Sequence, residues 1–215
     1  MIGLVLSRRP RPLVFPLSLL GRPLLLLLVP LTLPAFGFGK LASVQPLQIA
    51  GTTRTFCTAF SIDEKAGLWA TANHCVEAMQ KEQQEFTVGG YQASPAFQDA
   101  GSDLAIVLSK AHAKAFALAD EAPQVKDVVW VAGFPYGLPS VIYTKGRIAA
   151  KNVPVEPWGI ADILDLTVGR GNSGSPVLKD GKVVGVLVGR FIESEHAISV
   201  RWETVKRLTE SFYHQ

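Results

Sequence analysis

The chain has 215 residues, 48% hydrophobic and 18% charged, with 19 Gly, 14 Pro and 2 Cys. That balance excludes a disordered chain, a collagen-like repeat and a disulfide-dominated miniprotein. The net charge of +3 is uneven: Arg8, Arg9, Arg11, Arg22 and Lys40 precede the first acidic residue, and the remainder carries more acidic than basic side chains. A nucleic-acid partner needs a basic patch on the folded domain, so none is expected.

Taken in chain order, the first segment, 1–42, is a leader. Residues 24–36 read LLLLLVPLTLPAF, after a stretch with four arginines and before small residues around Ala35 and Gly37. Positive start, short apolar run and small-residue exit describe a secretory signal peptide. An uncleaved membrane anchor is the rival, although Pro23, Pro30 and Pro34 interrupt the span. A disordered cytosolic arm is a third option. Signal and anchor both export the domain from residue 43 onward, to the periplasm or outside the cell, or hold it at the membrane facing out of the cytoplasm.

In that domain, short β-branched runs alternate with Gly, Pro, Asn and Asp. Strands are predicted within Arg54–Ser61, Leu68–Ala72, Phe86–Tyr91, Leu104–Leu108, Val128–Gly133, Val141–Ala149, Ile160–Leu166, Ser175–Lys179, Val183–Val188 and His196–Val200. Asp180-Gly181 is a hairpin signal. Val76–Glu85 is a candidate short helix. Trp202, Val205, Leu208 and Phe212 recur near a 3.6 period, predicting a C-terminal helix over about 202–212. Ser109–Asp127, alanine-rich with Pro123, reads as a connection between two β halves. The prediction is all-β.

Three segments carry chemistry: Ala70-Thr71-Ala72-Asn73-His74-Cys75, Ser102-Asp103-Leu104-Ala105 and Gly171-Asn172-Ser173-Gly174-Ser175. A serine hydroxyl is a poor nucleophile until a base, most often histidine, takes its proton. That histidine needs a carboxylate on its other nitrogen to fix tautomer and orientation. The developing oxyanion needs donors, which two backbone N–H groups in a glycine turn supply. Each segment alone has an ordinary reading, as a surface histidine, a turn aspartate or a loop; together and in order they point to catalysis. His112, His196 and His214 have no such companions. His74 and Cys75 lack a second ligand pair at zinc-like spacing, so no metal and no cofactor is expected.

These segments resemble the trypsin/chymotrypsin-like serine proteases, with the nearer likeness to the protease domain of bacterial HtrA (Deg) enzymes. Thr71-Ala72-Asn73-His74-Cys75 resembles the catalytic-histidine motif, Ser102-Asp103-Leu104-Ala105 the aspartate strand, and Gly171-Asn172-Ser173-Gly174 the nucleophile turn. Gly133-Phe134-Pro135-Tyr136-Gly137 with Gly146-Arg147-Ile148 resembles the opening of the second barrel, and Asp165 an aspartate ahead of the serine turn.

The resemblance implies two packed antiparallel β-barrels, about 46–110 and 125–200, in a protease domain spanning 43–215. It implies His74 as base, Asp103 as orienting carboxylate, Ser173 as nucleophile, and the Gly171 and Ser173 N–H groups as oxyanion hole. A substrate pocket near Thr167, Val188, Gly189 and Arg190 is implied too. Thr167 suits a small apolar side chain, whereas Arg190 or Glu195 pointing inward suits an acidic or basic one. Cys57 and Cys75 are implied as a disulfide, with two buried thiols as the alternative.

There are departures. Ser175 stands where the family often has glycine, and its β-carbon is expected to narrow clearance near the substrate. Asn172 replaces the aspartate that trypsin-type zymogens use to grip a freed N-terminus, so activation by N-terminal insertion is not expected. Only the final helix comes after Val200, which leaves no room for a PDZ module. The sequence thus predicts an exported serine endopeptidase acting on protein or peptide. The alternative is a protease-like binding domain without turnover, or one activated by a partner; oligomeric state is left open.

Overall fold

The structure, a computed structural model, describes residues 43–213. The leader, His214 and Gln215 lie outside the described residues. Twelve strands form two closed six-stranded antiparallel barrels, followed by a helix.

In the first barrel the strands are β1 (Val44–Ile49), β2 (Thr55–Asp63), β3 (Leu68–Ala72), β4 (Phe86–Val88), β5 (Tyr91–Asp99) and β6 (Leu104–Ser109), closed in the order β1-β2-β3-β6-β5-β4. Helix α1 (Asn73–Lys81) interrupts the chain between β3 and β4. β7 (Val128–Gly133), β8 (Ile142–Val155), β9 (Gly159–Asp165), β10 (Pro176–Lys179), β11 (Lys182–Arg190) and β12 (Ala197–Arg201) close the second as β10-β11-β12-β9-β8-β7. Helix α2 (Trp202–Tyr213) ends the described chain.

The turn between β10 and β11 shows local chemistry setting local structure. Asp180 and Gly181 both have positive φ, 51° and 76°, as a two-residue hairpin turn demands. Lys179 and Lys182 pair across it. No strand is predicted over β1, or over β5 beyond Tyr91, and Pro46 and Pro95 sit inside them. β5 tolerates its proline at an irregularity: the register against β6 shifts between Pro95 and Phe97.

Both faces of β11 are buried, so it reads as a continuous apolar run rather than an alternation. Val184 and Leu187 join Val129, Val131, Ile148 and Leu164 in one apolar cluster of the second barrel. Val186 and Val188, on the other face, join a cluster that continues through Ala132 and Phe134 into Phe60, Trp69 and Leu104 of the first barrel. The barrels therefore share a packed seam, and each fully buried Phe or Leu there contributes about 1.5–3 kcal/mol. Helix α2 buries Thr204, Val205 and Leu208, while the Trp202 indole donates to the Ala119 carbonyl at 2.9 Å in the connecting segment.

One buried carboxyl lies away from the seam. Burial pushes Asp162 above the ordinary carboxylate range, opposed by the Asn152 N–H, 3.1 Å from Oδ1, and by Lys151. A carboxyl raised by folding contributes stability below its ordinary range that is lost as pH rises through the raised value. Asp162→Asn keeps the acceptor for Asn152 and removes the charge. It is expected to raise the melting temperature at neutral pH and leave it unchanged in acid, as thermal melts on both sides of that transition would read.

Candidate active site

His74 is the second residue of α1, directly after β3. The helix has no side-chain cap of its own, since Ala72 precedes it. Asp103 supplies the missing acceptors: its carbonyl accepts the Asn73 N–H at 3.0 Å and its Oδ1 the His74 N–H at 2.7 Å. An anion at a helix N-terminus meets orphan donors and the positive end of the dipole. The other oxygen, Oδ2, lies 2.7 Å from His74 Nδ1. One carboxylate therefore fixes both the backbone and the ring of the histidine. Asp103 is 6% exposed and holds φ at +55°, just before β6.

Around His74 the scaffold is crosslinked. Cys57 of β2 and Cys75 of α1 form a disulfide, with Cα atoms 6.3 Å apart. The sulfurs and the His74 ring nitrogen lie within 4.8 Å of one another, but sulfurs joined to each other offer no thiolate to a metal. The crosslink spans 18 residues. Replacing both cysteines by serine is expected to lower unfolding stability by about 3 kcal/mol, read by urea denaturation.

Ser173 lies in the turn between β9 and β10, and first-barrel residues hold that turn. Its carbonyl accepts the Thr58 N–H at 2.8 Å, and the Thr58 hydroxyl donates to the Gly171 carbonyl at 2.8 Å. Gly174, at φ +85°, is where glycine is required: a β-carbon there would lie 2.2 Å from the Thr58 carbonyl oxygen and 2.3 Å from Thr71 Oγ1. Gly171 has φ +97° and is buried. Among the described residues neither the Gly171 nor the Ser173 N–H donates to a protein acceptor. No hydrogen bond joins Ser173 to His74 among the described residues.

Ser175 corrects an expectation. It is fully buried and its hydroxyl points at Gly133, where an added β-carbon would be 2.0 Å away. A glycine on β7 makes the room that the serine needs, so Ser175 is packed away from solvent against β7, beside Thr58 and Asn172.

The four expected pocket residues separate. Thr167 and Arg190 line one cleft of about 170 Å³ with Val168, Ile192 and Glu195, and the Thr167 hydroxyl donates to the Glu195 carboxylate. Val188 lines another, of about 330 Å³, with His74, Asp103, Pro157 and Trp158. Gly189 lies against the Trp158 ring. The register of β11 shifts between Leu187 and Gly189, which turns successive residues to different clefts. Thr58 and Trp158 carried no sequence signal, because their partners lie far along the chain.

Similarity to known proteins agrees with this fold. Residues 57–186 match the model for the trypsin-like peptidase domain. Two structures of inactive forms of Rv3671c, one from M. tuberculosis, are similar in fold. The first shares 19% identity over 85% of this chain and 94% of that one, with a TM-score of 0.64. The second, of the Rv3671c protease, shares 20% over 82% and 95%, also with a TM-score of 0.64. A Deg5 structure shares 19% over 79% and 88%, with a TM-score of 0.65. At such identities the likeness speaks for the fold. A comparison with curated proteins finds no match.

Proposed function

The chain belongs to the trypsin-like peptidase domain family, and on that premise we propose that it is an exported serine endopeptidase. The observation that carries the reading is the buried Asp103 carboxylate 2.7 Å from His74 Nδ1, across the seam from a glycine turn bearing Ser173. An ionised carboxylate there keeps the Nδ1 proton in place and leaves Nε2 as the free base. Ser173 Oγ attacks the scissile carbonyl while Nε2 takes its proton. The Gly171 and Ser173 N–H groups receive the oxyanion. His74 returns the proton to the leaving amine, and a water activated by the same nitrogen hydrolyses the acyl-enzyme. The reaction calls for no cofactor, and its substrates are proteins or peptides.

Export rests on the leader sequence, cleaved or retained as an anchor, and agrees with a disulfide, which oxidising compartments preserve. Side-chain preference rests on the cleft of Thr167, Arg190 and Glu195. Its threonine hydroxyl is already bonded to the carboxylate, and with Arg190 lining the same cleft this favours a polar side chain over a small apolar one.

A second reading has one observation in its favour. The absence of a hydrogen bond between Ser173 and His74 among the described residues suits a domain that a partner or substrate brings into register, although such bonds are often loose before substrate binds. Labelling with a fluorophosphonate probe separates the two. Wild-type protein is expected to label at Ser173 without any partner, and His74→Ala to remain unlabelled. A folded wild type that stays unlabelled would move the conclusion to the partner-activated or binding reading.

A further inference from the structure

Asp103 has a third donor, and it comes from the other barrel. The Trp158 indole N–H donates to Oδ2 at 2.9 Å, to the same oxygen that faces His74 Nδ1. Trp158 stands in the turn between β8, ending at Val155, and β9, beginning at Gly159. We propose that Trp158 is a positioning residue for catalysis, locking the Asp103 carboxylate from the second barrel so that His74 keeps its orientation. The proposal rests on the protease reading and deepens it.

The chemistry of the indole favours this role over mere packing. An indole nitrogen donates and never accepts, and it does not titrate in the working range. It can therefore engage Oδ2 only as an acceptor. Hydrogen bonds to an ionised group are stronger than neutral ones, and more so when the site is shielded from water. With the His74 N–H on Oδ1 and two donors on Oδ2, the carboxylate is held at both oxygens and has little freedom to rotate.

The backbone opposite has made space for the ring. An added β-carbon at Gly189 would lie 2.8 Å from Trp158 Cζ2 and 2.9 Å from Cη2. Val188, the neighbouring strand residue lining the same cleft, has no side-chain donor to offer Asp103. A side chain at position 189 and the indole cannot both occupy that space. The bond also has a consequence for assembly: Asp103 belongs to the first barrel and Ser173 to the second, so Trp158 ties the orienting carboxylate to the barrel that carries the nucleophile turn.

Two variants of the full-length protein test this. Trp158→Phe keeps an aromatic ring and removes the donor. Gly189→Ala keeps the donor and displaces the ring. Each is expected to lower kcat for a p-nitrophenyl ester about tenfold with KM changed by less than about twofold, as loss of a hydrogen bond to a charged group predicts. The double variant should fall no further than Trp158→Phe alone, because both changes break one bond. In NMR spectra, the indole N–H resonance missing in Trp158→Phe should move upfield and exchange faster with water in Asp103→Asn. Unchanged kcat in both single variants, a loss confined to KM, or an indole resonance indifferent to Asp103→Asn would overturn the proposal. If the wild type shows no turnover, the protease reading fails by itself, and the indole resonance still decides whether Trp158 holds Asp103.

Discussion

Ser173→Ala is expected to reduce kcat for ester or peptide hydrolysis by about a million-fold while leaving the melting temperature within a degree or so of wild type. The two halves have separate causes. The hydroxyl is the group that forms the acyl bond, and without it a bound substrate is left with only the stabilisation of the oxyanion donors, on the order of 10³–10⁴ over water. The fold, by contrast, uses the backbone of this turn. Thr58 N–H holds the Ser173 carbonyl and Gly174 N–H reaches the Leu187 carbonyl, and neither bond involves the side chain. Steady-state turnover of a p-nitrophenyl ester and a circular-dichroism melt provide the two readouts. Residual activity within tenfold of wild type would place hydrolysis elsewhere on the protein. His74→Ala should cost about as much, and the pair together little more, since nucleophile and base act as a unit.

How far the sequence carried depended on whether a feature is local. The Asp180-Gly181 hairpin was legible because two adjacent residues meet its backbone requirement. β3 was legible because its five residues are all buried and apolar or small. β1 and β5 were not, since Pro46 and Pro95 argue against a strand until barrel closure supplies partners on both sides. The same division runs through the site. His74, Asp103 and Ser173 each sit in a short motif with a chemical reason for its residues. Trp158, inside Glu156-Pro157-Trp158-Gly159, reads as an ordinary turn, and its partner Asp103 is 55 residues away. Thr58 reads as one more strand residue, yet its hydroxyl meets the Gly171 carbonyl 113 residues on. The split of Val188 from Arg190 comes from a bulge, and an extra residue in a ladder leaves no mark in composition or periodicity.

Asp103 is where catalysis and folding meet, and two substitutions there should separate them. Three donors converge on its two carboxylate oxygens: the His74 N–H, the His74 ring and the Trp158 indole. Asparagine is nearly isosteric but offers one acceptor oxygen, and its amide group points donors at one or more of those three. If the amide faces the ring, His74 relieves the conflict by moving its proton to the other nitrogen, which then cannot take one from Ser173. Asp103→Asn is therefore expected to lower kcat about 10⁴-fold with the fold retained. Alanine removes both side-chain acceptors and keeps the backbone carbonyl that holds the Asn73 N–H. It leaves the His74 N–H at the start of α1 and the half-buried Trp158 indole N–H unpaired, and an unsatisfied donor shielded from water costs about 1–3 kcal/mol. Asp103→Ala should lose as much activity as asparagine and, in addition, about 3 kcal/mol of stability by urea denaturation. Equal stability in the two variants would mean that α1 does not depend on this carboxylate. An Asp103→Asn enzyme retaining a tenth of wild-type kcat would mean that His74 is oriented by something other than Asp103, and the catalytic assignment of both residues would fall with it.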